Sequence, residues 1–173
     1  MSNKIIHIIG GGTVAHIGPH LALCAPAYGA TARSLESICA STSHNLDVEV
    51  HLTKMAGGLS LETNKDISDL IDGIVADPRS KIVFLTAAMC DYEHVGPQDK
   101  YGERLDSRKH DQIQLNFFRA VKVVGRIRAH RKDIFAVAFK TTSGATADEQ
   151  YVAGLNLLKE ASVNLVFAND VNT

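Results

Sequence analysis

Cysteine is scarce. Cys24, Cys39 and Cys90 are the only three in 173 residues, and no two form a CxxC pair. That argues against a disulfide framework and a zinc knuckle, and makes a reduced, cytoplasmic setting the expectation. Long apolar runs are missing too. None reaches the roughly 20 residues that a bilayer-spanning helix needs, so no membrane association is expected. The opening "MSNKIIHIIGGGT" has one lysine and a short apolar run, without a small-residue cleavage segment before the glycines. It reads as a first strand and not as a signal peptide. Neither sign of charge dominates. A net charge of -1 offers no global attraction to nucleic acid or anionic lipid, and neither is expected as a partner. The eight histidines contain no HxH pair. The i, i+4 pair His16 and His20 sits in a segment broken by Gly18 and Pro19. No internal repeat, linker or low-complexity stretch appears.

What is present is an ordinary globular composition, 45% hydrophobic and 21% charged. It is enough for one domain over residues 1–173 with a substantial core. "KIIHIIG" (4–10) is continuously apolar and reads as a buried parallel strand. "LDVEVHLTKM" (46–55) alternates like a strand nearer an edge. "KIVFLTAA" (81–88), "DIFAVAFK" (133–140) and "VNLVFAND" (163–170) read as further buried strands, and "DQIQLNF" (111–117) as a half-exposed one. Helices are expected between them. In 64–77 the positions Ile67, Leu70, Ile71, Ile74 and Val75 form an i, i+3, i+4, i+7, i+8 stripe, with Asn64 as its cap. In 146–161, Thr146 and Glu149 stand at capping-box spacing. Segments 118–131 and 29–41 complete the set. Strands alternating with helices predict an α/β fold, a Rossmann-like three-layer sandwich with a mostly parallel sheet. Ligands of such sheets bind beyond the carboxyl ends of the strands.

Several motifs fall at those ends. "IIGGGTVAHIGP" (8–19) puts glycines where the first strand stops, allowing positive φ and close approach to a phosphate. Gly10, Gly12 and Ala15 match a loose GxGxxA form. That fingerprint needs a helix to begin at once, and Pro19 opposes one. A tight turn is the plainer reading of the same glycines. Asp91 in "AAMCDY" (87–92) could hold Mg²⁺ or a sugar hydroxyl, or merely cap a turn. Cys90 beside it is read as buried filler, since no base is identifiable by spacing. "DKYGERLDSRKH" (99–110) carries Lys100, Arg104, Arg108 and Lys109. It is either a basic lid over phosphates, within a loop at 93–110, or a solvated charge run. Phe139 and Lys140 end one strand, and Asn169 ends another. The aromatic and the amide suit a base or ribose, or else core packing and a turn.

Taken in order, "GGT" (11–13), "TAAMCDY" (86–92), "RLDS" (104–107), "IQLNF" (113–117), "AVAFKTTSG" (136–144) and "VFANDV" (166–171) resemble one family. It is the phosphopantothenoylcysteine synthetases, the synthetase half of the DNA/pantothenate metabolism flavoproteins. The match spans nearly the whole chain. The resemblance implies a ligase of coenzyme A biosynthesis, usually a homodimer. It would activate 4′-phosphopantothenate with CTP or ATP, in the presence of Mg²⁺, for attack by the amine of cysteine. It further implies that Gly11, Gly12 and Thr13 line the nucleotide pocket and that Ala87, Ala88 and Asp91 hold base, ribose and metal. Arg104 would stand at the lid-lysine position, with Lys100 and Lys109 close by, and Phe139, Lys140 and Asn169 near the nucleoside. The sequence departs from the family in places. The family's Asn-x-Ser-Ser-Gly is "APAYGATA" (25–32) here, with only Gly29 kept. Its Glu-Thr after Phe-Lys is "TTSG", and its further strand and helix are not found after "ANDVNT". A diverged nucleotide-binding protein without ligase activity is therefore an alternative, with an NAD(P)-dependent oxidoreductase a more distant one.

Overall fold

A continuously apolar strand requires cover on both faces, and β1 (Lys4–Gly10) has it: only Lys4 is exposed. The computed structural model describes residues 3–42, 45–94, 108 and 111–172. After β1 the chain forms a hairpin of β2 (Val14–Gly18) and β3 (Leu21–Cys24), and then α1 (Ala30–Thr42). Next come β4 (Leu46–Leu52), a 3₁₀ turn at Lys54–Ala56, α2 (Asn64–Ala76) and β5 (Ser80–Leu85). A second hairpin pairs β6 (Tyr92–His94) with β7 (Phe117–Arg119). The chain continues through α3 (Gly125–His130), β8 (Phe135–Thr142), α4 (Ala147–Ala161) and β9 (Leu165–Asp170).

The main sheet has five strands in the order β4-β1-β5-β8-β9. Every pairing in it is parallel. The expected α/β, Rossmann-like three-layer arrangement is therefore what forms. One face packs Ile6 and Ile8 of β1 with Val48 and Val50 of β4 under Ala32, Leu35 and Cys39 of α1. The opposite face buries Ile9, Val83, Leu85, Ala136 and Ala138 under Ile67, Ile71 and Ile74 of α2, Ile127 of α3 and Ala161 of α4. Arg126 of α3 forks onto Asp72 of α2 with contacts of 2.6 and 2.7 Å. Arg131 donates to the carbonyls of Val75 and Asp77 at the end of α2, where the last carbonyls lack helical partners.

Four expectations need correction. Residues 111–117 do not form a strand of their own; only Phe117–Arg119 pair, as the short β7. The helix expected over 118–131 is confined to Gly125–His130. Val121, Val123 and Val124 are β-branched and Gly125 follows them, which disfavours earlier helix. The cap of α2 is Thr63, not Asn64: its hydroxyl accepts from the Asp66 amide while Asp66 accepts from the Thr63 amide. Finally, β9 is an outer strand of the sheet and mostly exposed, in place of the buried strand expected at 163–170.

Candidate functional site

In the order β4-β1-β5-β8-β9, the chain leaves β1 toward the α1 face and leaves β5 toward the α3 face. The crossovers therefore diverge beyond the carboxyl ends of β1 and β5, the switch point at which ligands of such sheets bind. The two ends do not splay apart at once. The Ala88 amide donates to the Gly11 carbonyl, and the Thr13 amide donates to the Ala88 carbonyl, each at 2.9 Å. The β1–β5 ladder thus runs on past both strands, and Gly11 and Asp91 share one rim.

A buried polar knot locks this rim. Thr13 is wholly buried. Its hydroxyl donates to Asn64 Oδ1 at 2.7 Å and accepts from the Cys90 amide at 2.9 Å. Asn64 Nδ2 returns to the Cys90 carbonyl at 2.8 Å and reaches Glu93 Oε1 at 3.2 Å. One amide on the first residue of α2 therefore ties that helix to both rim loops. Cys90 is buried as well, and burial pushes its thiol up. A protonated thiol is a poor nucleophile, in keeping with the packing reading of this residue.

The glycines are packed by their own chain. Gly11 has a φ of +104, and a Cβ there would lie 2.1 Å from Thr53 Oγ1. A Cβ on Gly12 would lie 2.1 Å from the Ala25 carbonyl oxygen. Only glycine lets β1 end against these two segments. Thr53 is wholly buried, and its Oγ1 has no partner among the described residues.

The other candidate residues lie around the same edge. Ala87 and Ala88 are half-buried, while Asp91 is exposed and ion-paired with Lys122 Nζ. The Ala120 amide donates to the Asp91 carbonyl at 2.9 Å, tying the segment after β7 to the rim. Phe139 and Lys140 are half-buried on β8, which extends past the end of β5. Phe139 stacks on Phe167 of β9 with ring centroids 5.2 Å apart. Asn169 Oδ1 accepts from Thr141 Oγ1 at 3.2 Å. Lys100, Arg104 and Lys109 lie outside the described residues, as does nearly all of the loop expected at 93–110.

Sequence reasoning took Asn64 for a helix cap, not for a member of the rim knot, and missed Lys122 and Asp170. Asp170 is buried at the end of β9 and accepts from the amides of Gly144, Ala145 and Asn172 and from Thr142 Oγ1, at 2.8–3.0 Å. The amides of Ala145 and Asn172 hold its carboxyl far below the usual carboxylate range, helped by Thr142 and Gly144. It fastens the turn between β8 and α4. Asp170 lay in the quoted "VFANDV"; asking what would satisfy an acidic residue at a strand end was the signal that could have found it.

No family model matches the chain, and no curated protein matches it. Solved structures do. The DNA/pantothenate metabolism flavoprotein from Streptococcus pneumoniae aligns with a TM-score of 0.79 at 16% identity, over 99% of this chain and 82% of that one. The C-terminal domain of the coenzyme A biosynthesis bifunctional protein CoaBC gives 0.69 at 17% identity, over 96% and 76%. A Cab2 mutant in complex with phosphopantothenate-cysteine gives 0.68 at 13% identity, over 99% and 74%. The chain has the fold of these proteins. At such identities the likeness speaks for the course of the backbone, and the chemistry must be argued from the rim.

Proposed function

We propose that this chain is a phosphopantothenoylcysteine synthetase-like carbon–nitrogen ligase of coenzyme A biosynthesis. The observation that carries the reading is the joining of Gly11–Thr13 to Ala88–Asp91 at the switch point, in a fold shared over nearly the whole chain with the proteins above. In the proposed reaction, a carboxylate oxygen of 4′-phosphopantothenate attacks the α-phosphorus of CTP or ATP and pyrophosphate leaves. The amine of cysteine then attacks the acyl carbon, and the nucleoside monophosphate departs with the former carboxylate oxygen.

The residues present fit such a role. Gly11 and Gly12 let β1 end tightly against Thr53 and Ala25 and so fix the position of the rim. Mg²⁺ commonly takes one or two protein carboxylates and draws its other ligands from phosphates and water. Asp91, exposed at the rim, fits that pattern and would hold the ion, whose positive charge would offset the negative charge of the polyphosphate. Lys122, which pairs with Asp91, would offer its ammonium to a phosphate oxygen. Phe139, Lys140 and Asn169 would flank the nucleoside. Lys100, Arg104 and Lys109 would supply positive charge to the departing pyrophosphate. Ala87 would flank the ribose, and Ala88, whose amide and carbonyl are both engaged by Gly11 and Thr13, would hold the rim beside it. A homodimer in the cytoplasm belongs to the same proposal. The exposed Leu21, Leu23, Tyr92 and Phe118 on the two hairpins offer it an apolar surface.

The test is pyrophosphate release from CTP or ATP. Release is expected only with 4′-phosphopantothenate present, and the amide product only after cysteine is added. A thermal shift by nucleotide without pyrophosphate release would move the assignment to a binding protein. That second reading is favoured by "APAYGATA" at 25–32, which lacks the family's asparagine and serine pair ahead of α1. For the metal role, Asp91→Asn is expected to weaken Mg²⁺-nucleotide binding measured by calorimetry. It should change stability by no more than about 0.5 kcal/mol, because an exposed ion pair contributes little. A large stability loss with unchanged affinity would assign Asp91 to turn capping instead.

A further inference from the structure

Away from the rim, β1 and the edge strand β4 bring together three side chains that the proposed reaction does not use. β4 alternates: Leu46, Val48, Val50 and Leu52 face α1, which leaves Glu49 and His51 on the other side beside His7 of β1. His7 Nδ1 lies 3.2 Å from His51 Nε2 and 3.5 Å from Glu49 Oε2, and His51 Nε2 lies 3.8 Å from that same oxygen. Ligand atoms about 2.1 Å from a tetrahedral zinc are roughly 3.4 Å apart. The three measured separations bracket that value.

We infer that His7, Glu49 and His51 form a binding site for a divalent transition-metal ion of the zinc class. Two imidazole nitrogens and one carboxylate oxygen are a donor set that zinc accepts, with its fourth position left to water. The supporting contact that such sites use is in place. His7 Nε2 lies 2.8 Å from the buried Ser80 Oγ. With that hydroxyl accepting the Nε2 proton, the Nδ1 lone pair points into the cluster, and the ring is held in orientation. Metal entry then requires His51 to carry its single ring proton on Nδ1 instead of Nε2. No proton is gained or lost by the neutral pair. Access is open on the Glu49 side, whose side chain is 47% exposed against 4% for His7. A bound ion would stitch the edge strand to the sheet interior. The inference is independent of the ligase reading.

The test is titration of EDTA-treated, dialysed full-length protein with Zn²⁺ against a chromophoric zinc indicator at neutral pH. Uptake of one equivalent per chain and a raised melting temperature are expected. Glu49→Gln and His51→Ala should each weaken uptake by at least the roughly 10–100-fold that loss of an outer-shell partner brings, with circular dichroism confirming that both variants fold. Glu49→Gln, at the exposed position, keeps the test decisive if His51→Ala unfolds. Cys24→Ser should leave uptake unchanged. Co²⁺ should give the visible absorption of a four-coordinate site without a thiolate charge-transfer band. No saturable uptake by the wild-type chain, uptake that survives both His51→Ala and Glu49→Gln, or uptake abolished by Cys24→Ser would each overturn the assignment.

Discussion

Two buried threonines at the rim, Thr13 and Thr53, carry the same side chain and stand in opposite situations. The Thr13 hydroxyl both donates and accepts at full burial, so Thr13→Val orphans the Asn64 carbonyl and the Cys90 amide. An unsatisfied buried partner costs about 1–3 kcal/mol, and that loss is expected in a urea melt. Thr53 Oγ1 has no partner among the described residues, so Thr53→Val exchanges an unpaired hydroxyl for a methyl of similar shape. Its stability is expected to be equal or higher in the same measurement. A loss as large as that of Thr13→Val would mean that the Thr53 hydroxyl serves a group outside the described residues. Neither state was legible beforehand. "GGT" announces a turn, but whether a hydroxyl inside it is satisfied depends on Asn64, distant in sequence and brought near only by the crossover through α1 and β4.

Among the elements, helix ends followed local chemistry closely. Thr146 and Glu149 form the capping box that their spacing announced, with the Thr146 hydroxyl accepting from the Glu149 amide and Glu149 accepting from the Thr146 amide. Thr63 and Asp66 form another. Thr63→Ala is expected to cost about 0.5–2 kcal/mol, read as a shift of the urea midpoint at unchanged slope. A null effect would mean that Asn64, held by the rim knot, fixes the start of α2 unaided. The five sheet strands were legible because β-branched apolar runs between turn residues leave little choice. The two hairpins were not. β2 and β3 are short, and β3 is exposed throughout, so no burial pattern marks them. The glycines ahead of β2 invited a phosphate-loop reading in their place. Lys122 and Asp91 were each visible as charges, but their pairing needs the rim and the segment after β7 to meet in space.

For the molecule as a whole, pH should act through the buried imidazole of His7 and the half-buried one of His51. His7 is held below the ordinary value of 6.5 first by burial and then by neighbouring His51; Glu49 and Asp77 pull the other way and Arg79 adds to the lowering. His51 is lowered by burial against the pull of Glu49. The unfolded chain therefore takes up protons first as pH falls. Their contribution to stability is complete above about pH 6.5 and is lost through the interval below it, down to the folded-state values. Metal-free protein is expected to show a melting temperature that is flat from pH 8 to 7 and falls as pH drops below about 6.5. His51→Gln should flatten part of the fall. A melting temperature independent of pH over that range would mean that the rings carry no such linkage. The architecture has one more consequence, for how the chain reaches this state. Parallel neighbours cannot be joined by a tight turn, so each of the four ladders in the main sheet waits for a long crossover to return. β1, with a neighbour on each side, is not fully paired until β4 and β5 have both arrived. Renaturation should accordingly lag behind that of a helical bundle of equal size, and dilution should improve the yield while bare strand edges are still searching for their neighbours.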